Sequence, residues 1–515
     1  MQPLDIVLLV LDTQRADRLS CYGYERPTSP HLDAFAAEAT RFQQAIAPAQ
    51  WTIPSHASMF TGVYPSQHGA VQSYSVLPST LPTLAERLRE GGYHTAAFCN
   101  NPLVGVLDNG LRRGFTSFLN YSGLLTSHPN QAGIAPNLVD RYRQFFKGTL
   151  ARLLGRIQDT FARSEAMLAL SFTPLMVPLW QTALSFKGNT AKSLADAAEL
   201  LCDRPGLPSD RPVFSFINLM GTHMPYHPPH RYIEQFAPRF LIDRSARRYL
   251  HQFNSDVYGW LAPLADPLSD AHKTTLDGMY DAEVAAQDEH LGRFFAQLAA
   301  GGVLDRALVI ICADHGEHLG EKQLLGHTNA LYNELTHVPL IVRDPRGGFP
   351  AGVRSETVST RRIFHTALGA AGLTAPDEES LDLARSTTEP GVVFAEGIPP
   401  ANVLSLLRKR QPDLVRDRAC DLTSLAVWDA NFKLQTKVAT DSTEPAGIST
   451  TELYHLLDDP RETLNLRDVL PEEVDRLQSH LTLLGTQSHS AGRDLASNVD
   501  DPDVMRRLRD LGYLE

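Results

Sequence analysis

Three short stretches of the chain carry side chains whose types and spacing could do chemistry together. In CADHGEHLGE, Asp314 and His315 are adjacent directly after an apolar run, and Gly316 then releases the backbone. Adjacent residues on an extended strand point to opposite faces, yet at a strand end followed by glycine both can turn onto one ion. A carboxylate with an imidazole suits Mn2+ or Zn2+ better than Mg2+, and Ca2+ is a further option. The plainer reading is a solvated loop. Asp12 ends the apolar run from Ile6 to Leu11 and would be a third ligand, and Thr52 in QWTIPSHASMFTG could complete the set. A free threonine hydroxyl is a poor nucleophile near neutral pH. Coordination to a divalent cation lowers its pKa and makes the alkoxide accessible. The plainer role for Thr52 is as the cap of a helix from Pro54 to Thr61. That role is compatible with catalysis, because amides at a helix N-terminus face an anion.

Histidines supply further candidates. His223 and His227 in GTHMPYHPP follow the apolar stretch PVFSFINL, His327 lies in LLGHTNALYNE, and His56 is one helical turn beyond Thr52. Any one of them is more often structural than catalytic. Three at expected sheet edges point to binding of non-bridging oxygens and protonation of a leaving group, and His56 could do the same. His227 and Lys322 are the expected substrate-binding side chains.

The elements that must position these residues alternate between strand and helix. Residues 4–11 read as a strand, 27–42 as a helix with Ser29 as cap and Pro30 in its first turn, and 82–92 as a second helix. HTAAFCN, ALVIICADHGE and HVPLIVRDP read as strands, and YDAEVAAQDEHLGRFFAQLAAGG as a long helix with a glycine stop. Such alternation predicts a mostly parallel sheet covered on both faces, with the site beyond the strand C-termini. Residues 120–205 are expected to form a helical insertion with a basic amphipathic part and an apolar part. Pro, Gln and hydroxyl residues interrupt the apolar part, which makes it a poor membrane span. A packed cap is the plain reading; a lid for an apolar substrate or an interfacial segment is the sharper one. The expected organisation is a catalytic domain over 1–385 and a C-terminal subdomain over 386–515, with a small antiparallel sheet and a closing helix at about 471–485.

Composition narrows the function classes. The 515 residues carry 47 Lys and Arg against 59 Asp and Glu, a formal charge of −12, which argues against nucleic acid as the main partner. The apolar run at the N-terminus has no basic region before it and leads straight into polar residues, so it reads as a strand and not a signal peptide. Five scattered cysteines form no CxxC pair or disulfide framework. Together these features favour a cytoplasmic setting. A homo-oligomer is compatible with all of them.

The motifs, taken in order, resemble the sulfatase-like members of the alkaline phosphatase superfamily. The resemblance runs through LLVLDTQRADRLSCYGYERPTSPHLD, WTIPSHASMFTGVYPSQHG, GTHMPYHPP, the stretch from YDAEVAAQDEH to THVPLIVR, ELYHLLDDPRETLNL and the terminal LGYLE. It implies an α/β fold with an alkaline-phosphatase-like, mostly parallel central sheet flanked by helices and a small C-terminal α+β subdomain. It also implies that position 52 is the nucleophile.

Two departures from that family matter. Sulfatases of this type carry Cys-x-Pro-Ser-Arg, whose cysteine is oxidised to formylglycine. Here the two positions are Thr52 and His56, so formylglycine cannot form at this site. Thr13 stands where many sulfatases have another metal-binding aspartate, and His315 where an asparagine ligand is expected. The set Asp12, Thr52, Asp314 and His315 is similar to that of single-metal phosphoryl enzymes of the superfamily. Those include phosphonate monoester hydrolases in their ligands, and phosphoethanolamine or glycerophosphate transferases in their threonine nucleophile. A second metal would need an Asp-x-x-x-His pair. His223-Met-Pro-Tyr-His227 lacks the aspartate, so one divalent cation is expected.

The expectation is therefore a metal-dependent hydrolase or transferase of phosphate or phosphonate esters, acting on a small anionic ester that can carry an apolar group. A sulfate ester hydrolase working without formylglycine is the alternative. A catalytically silent relative that binds an anion is the second alternative, and the intact Asp12, Asp314 and His315 weigh against it.

Overall fold

Apolar runs buried on both faces organise the chain into layers. The computed structural model describes residues 3–105, 107–122, 187–255, 262–327, 330–386, 392–438 and 450–496. Every residue is buried in β1 (Asp5–Leu11), β3 (His94–Cys99), β5 (Val213–Leu219) and β6 (Ala307–Cys312), as strands covered on both faces require. With β2 (Thr40–Ile46), β4 (Ser117–Asn120), β9 (His337–Val338), β10 (Leu340–Arg343) and β11 (Gly352–Ser359) they form one nine-stranded sheet. Its order is β11-β2-β10-β6-β1-β5-β3-β4, with β9 paired to β2. A two-stranded hairpin, β7 (His318–Leu319) and β8 (Leu325–Gly326), stands apart.

Strand direction decides where the chemistry gathers. β1 is parallel to β5 and β6, and β3 is parallel to β5 and β4. HVPLIVRDP is expected above only as one more strand; its β10 runs antiparallel to both β6 and β2, which restores β2 to the direction of β1. The C-terminal ends of β1, β2, β3, β5 and β6 therefore share one edge. Alternation along β1 feeds two cores. Val7, Leu9 and Leu11 face the helices Asp270–Ala300 and Thr190–Asp203. Ile6, Leu8 and Val10 face Thr52–Thr61, Leu84–Glu90 and Ile363–Ala371. Each such side chain contributes about 2 kcal/mol of burial, so the sheet is a stiff base for its own edge.

Three expectations are corrected here. The helix expected over 27–42 stops at Ala37, and Thr40–Ile46 is strand β2. Thr40, Phe42 and Ala45 are buried while the residues between them are partly exposed, a period closer to two than to 3.6. Ser29 occupies the N-cap position without capping: its hydroxyl donates to Asp33, and Asp288 of the long helix accepts from the amides of His31 and Leu32 instead. The insertion expected over 120–205 is narrower at its C-terminal end, because the helix Thr190–Asp203 belongs to the main layer. Residues 123–186 of that segment and the terminal LGYLE lie outside the described residues. No helix among the described residues is long and apolar enough to cross a membrane.

Beyond the main sheet, β12 (Val393–Gly397), β13 (Thr423–Asp429), β14 (Phe432–Val438) and β15 (Thr450–His455) form an antiparallel sheet in sequence order. Val393, Ala395 and Trp428 pack with Ile46 and Leu331. Val427, Leu434 and Leu453 are covered by Leu477 and Leu481 of the helix Pro471–Ala496. The fully buried Lys433 ties the two parts together: its ammonium donates to the Leu331 carbonyl at 2.6 Å and to Glu462 at 2.5 Å.

One consequence of this packing concerns acid stability. His68 is buried, accepts from the Ala70 amide at Nδ1 and faces the Ser58 hydroxyl through Nε2 at 3.0 Å. Burial pushes its pKa down from 6.5 to about 3. The unfolded chain thus takes up a proton that the folded chain refuses, and stability is lost as pH falls below 6.5 toward 3. His68 alone should cost about 2 kcal/mol between about pH 7 and about pH 5. Urea unfolding of His68→Gln at both pH values should show a correspondingly shallower loss than the natural chain.

Candidate active site

The shared edge of the sheet collects the chemistry. Asp12 follows β1, Asn101 follows β3, Thr222 and His223 follow β5, and Asp314 and His315 follow β6. Thr52 enters from the connection after β2 and is the first residue of the helix Thr52–Thr61. The N-cap position is Trp51, so Thr52 does not cap a helix beginning at Pro54. Its hydroxyl is instead 3.3 Å from His315 Nε2 and 3.5 Å from the Asn101 amide nitrogen. The unpaired amides of the first helical turn open toward the same place, which suits an anion.

Asp12, Asp314 and His315 are fully buried, with one ligand atom from each within 4.8 Å of the others. The His315 Nδ1–H donates to the Gly316 carbonyl at 2.9 Å, which leaves the Nε2 lone pair facing the cluster. Nε2 is 3.4 Å from Asp314 Oδ2 and 4.0 Å from Asp12 Oδ1. Among the described residues those two carboxylate oxygens have no hydrogen-bond partner. The remaining oxygens are held. Asp12 Oδ2 accepts from Asn101 at 2.5 Å, and Asp314 Oδ1 accepts from the amides of His315 and Thr13. Two orphaned carboxylate oxygens and an imidazole lone pair converging in a buried pocket fit one divalent cation.

Electrostatics agree. Burial raises the Asp12 carboxyl to about 6, and burial together with Asp12 pushes Asp314 well above the usual carboxylate range. Burial drives His315 well below 6.5, so its imidazole is neutral, as a ligand must be.

The backbone around these ligands is forced. Thr13 has φ +59°, a left-handed conformation that a β-branched residue adopts only under constraint. The Tyr280 hydroxyl donates to the Thr13 carbonyl at 2.7 Å and accepts from the Arg15 amide at 2.9 Å. Thr222 donates to the Asp12 carbonyl at 2.6 Å, and Ser55 to the Asp314 carbonyl at 2.6 Å. Gly316 is required by close approach: a Cβ there would lie 2.0 Å from the Glu334 carbonyl.

The predicted histidines divide. His327 reaches the site, its ring centroid 4.6 Å from that of His315 and 5.2 Å from that of His223. Burial opposes its charge, but buried Glu317, accepting from Nδ1 at 2.8 Å, outweighs this and raises its pKa. His223 goes the other way: burial and the neighbouring His327 lower it to about 3.

His56 is corrected from oxygen binder to support. It lies beneath Thr52, fully buried, with Nδ1 donating to the Thr52 carbonyl at 2.9 Å and Asn218 3.3 Å from Nε2. Its ring sits edge-on to Phe60 and Phe216. The i to i+4 spacing that suggested a second catalytic group is a bond within the helix. His227 is exposed, and its amide donates to Glu283 outside the cluster.

Lys322 is also not brought to the site. Lys322 and Gln323 both have left-handed backbones, and this turn sends the ammonium to the Glu462 carbonyl, over the rings of Tyr332 and Tyr454. Sequence reasoning missed Asn101, Asn218, Thr222 and Glu317. Asn101 was findable, because it too follows a buried strand at the same edge. Glu317 was not, because its partner His327 is ten residues on.

The Glu317–His327 pair gives a further prediction. Glu317→Gln removes the charge that raises His327, so burial then lowers its pKa. The alkaline limb of kcat/KM should move to lower pH, and activity at about pH 8 should fall about 10- to 100-fold. A pH–rate profile of the variant checks this.

Known proteins share the architecture. Residues 5–373 match the Sulfatase family. The chain is 29% identical over 425 residues to mouse (Mus musculus) steryl-sulfatase, covering 74% of this chain and 64% of that protein. It therefore spans a little under two thirds of that relative's length. It is 24% identical over 395 residues to an arylsulfatase of Clostridium perfringens, covering 74% of this chain and 78% of the relative. Among solved structures, the phosphonate monoester hydrolase of Agrobacterium radiobacter superposes with a TM-score of 0.62 at 20% identity, covering 94% of this chain and 96% of that one. The fold is that of the alkaline-phosphatase-like sulfatases and phosphonate hydrolases, and with its family match over most of its length the chain belongs to the sulfatase family.

Proposed function

We propose that the chain hydrolyses or transfers phosphate or phosphonate esters, with Thr52 as the nucleophile and one divalent cation held by Asp12, Asp314, His315 and Thr52. The observation that carries this reading is the Thr52 hydroxyl, at the first turn of its helix, 3.3 Å from the His315 lone pair and beside two orphaned carboxylate oxygens. A cation bound there supplies the positive charge that acidifies the hydroxyl and offsets charge on the ester oxygens.

Each remaining role falls to a residue of the chain. Thr52 Oγ1, its proton lost to solvent, forms a bond to phosphorus in line with the ester bond that breaks. Protonated His327, held by Glu317, gives its proton to the departing oxygen. The neutral His327 left by that step takes the proton of the water or acceptor alcohol that then attacks the phosphothreonine, which restores its protonated form. The raised pKa suits His327 to both transfers, and burial keeps the neighbouring His223 neutral beside it. Asn101 holds Asp12 and Thr52 together, and His56 holds the Thr52 carbonyl.

Threonine itself favours phosphorus over sulfur. A sulfated formylglycine hydrate collapses to the aldehyde and expels sulfate without attack at sulfur. A sulfated threonine has no such route, whereas a phosphothreonine can be cleared by water. Sulfate ester hydrolysis is the second reading, and the similarity to a steryl-sulfatase and an arylsulfatase favours it. A panel of aryl phosphate, phosphonate and sulfate esters separates the two. The first reading expects turnover of a phosphorus ester at least about a hundredfold above that of the matching sulfate. Rapid sulfate release without phosphoester turnover would overturn it.

A further inference from the structure

A basic face lies on the helices Pro238–Ile242 and Arg244–Ser255. Residues 239–248 carry four arginines, Arg239, Arg244, Arg247 and Arg248, against one acid, in a chain whose formal charge is −12. All four are exposed. The single acid, Asp243, is spent on the backbone, where Oδ1 accepts from the Ser245 amide at 2.7 Å. Arg247 donates to the Leu241 carbonyl at 2.9 Å. Among the described residues, Arg239, Arg244 and Arg248 pair with no carboxylate.

An apolar side chain stands among these charges. Ile242 is 81% exposed, the most exposed large apolar side chain of the described residues. Its neighbours Phe240 and Leu241 turn inward onto the main core, so the backbone presents Ile242 rather than leaving it loose. Exposed arginines on either side of an exposed apolar side chain in the sequence match the layered chemistry of a bilayer surface, with anionic headgroups outside and acyl chains beneath. A soluble polyanion would use the arginines and gain nothing from Ile242.

The same element reaches back to the site. Asn254, near the end of the basic helix, accepts from the Tyr226 amide at 3.0 Å and donates to its carbonyl at 2.9 Å. Phe253 stacks on the Tyr226 ring, with centroids 5.7 Å apart. Tyr226 belongs to the loop that carries His223.

We infer that the face formed by Arg239, Ile242, Arg244 and Arg248 docks on an anionic lipid surface. The arginines lie over headgroups and Ile242 enters the acyl boundary. Docking holds the chain at a surface where esters with an apolar group concentrate. This last step rests on the function proposed above; the docking does not.

Sedimentation of the full chain with phosphatidylcholine vesicles, with and without phosphatidylglycerol, tests the inference. The natural chain should bind only the anionic vesicles and be released by high salt. Arg239→Glu with Arg244→Glu and Arg248→Glu should lower that binding by at least about a hundredfold. Ile242→Asp should weaken it several-fold and leave its salt dependence in place. Turnover of a water-soluble ester should be unchanged in both variants, which separates docking from catalysis. Equal vesicle binding by the natural and charge-reversed chains would overturn the inference. So would retention on a soluble polyanion, or salt-dependent self-association, without vesicle binding.

Discussion

Thr52→Ala should lower kcat for the preferred ester by at least about a thousandfold while leaving the fold intact. The two halves of this result come from different contacts. The Thr52 side chain caps no helix, because Trp51 holds the N-cap position, and the main-chain bond from His56 uses the Thr52 carbonyl. Alanine keeps both. What it removes is the oxygen placed 3.3 Å from His315 Nε2. Thermal unfolding of Thr52→Ala should therefore match the natural chain. Thr52→Ser, which keeps the oxygen, should retain activity within about tenfold. A structural role for the threonine predicts the reverse: loss of stability, with activity falling only in proportion.

Asp314→Asn should have the second-largest effect, and its signature is a split between stability and activity. Asp12 and Asp314 bury two carboxylates side by side, with one oxygen of each unpartnered. Their folded pKa values are raised above those of the unfolded chain. Without a cation, the folded chain therefore loses stability as pH rises through those raised values, since ionising the pair is costlier folded than unfolded. Asparagine removes one charge and keeps the Oδ1 that accepts from His315 and Thr13. The chelated variant should be at least as stable as the chelated natural chain at about pH 8. The natural chain should gain stability on addition of Mn2+ or Zn2+, and the variant should gain little. Activity of the variant should fall by at least about a thousandfold even with excess metal. Melting curves with chelator and with metal, run beside a turnover assay, read all three.

The parts of the site legible in the sequence are those that share one rule. Asp12, Asp314 and His315 each end a buried apolar strand, and parallel strands deliver their C-terminal residues to a common edge. Thr52 followed from chemistry, because a lone threonine needs a cation to attack anything. The rule failed where local geometry overrode it. Lys322 sits in a left-handed turn that carries its side chain toward Tyr332 and Tyr454. His56 looked catalytic because helical spacing brought it near Thr52, but the same spacing lets it bond the Thr52 carbonyl from below. Strand β2 was hidden in a stretch whose alanines suit a helix. Its pairing to β10, β9 and β11 depends on residues about 300 positions away, which no local pattern encodes.

The central claim is that Thr52 carries the transferred group. Intact-mass and peptide analysis after rapid quenching with a slow phosphorus ester tests it most directly. A phosphoryl or phosphonyl adduct on the peptide containing Thr52, formed with metal and absent after chelation or in Thr52→Ala, is the predicted result. An adduct on another residue, or full turnover by Thr52→Ala, would contradict it.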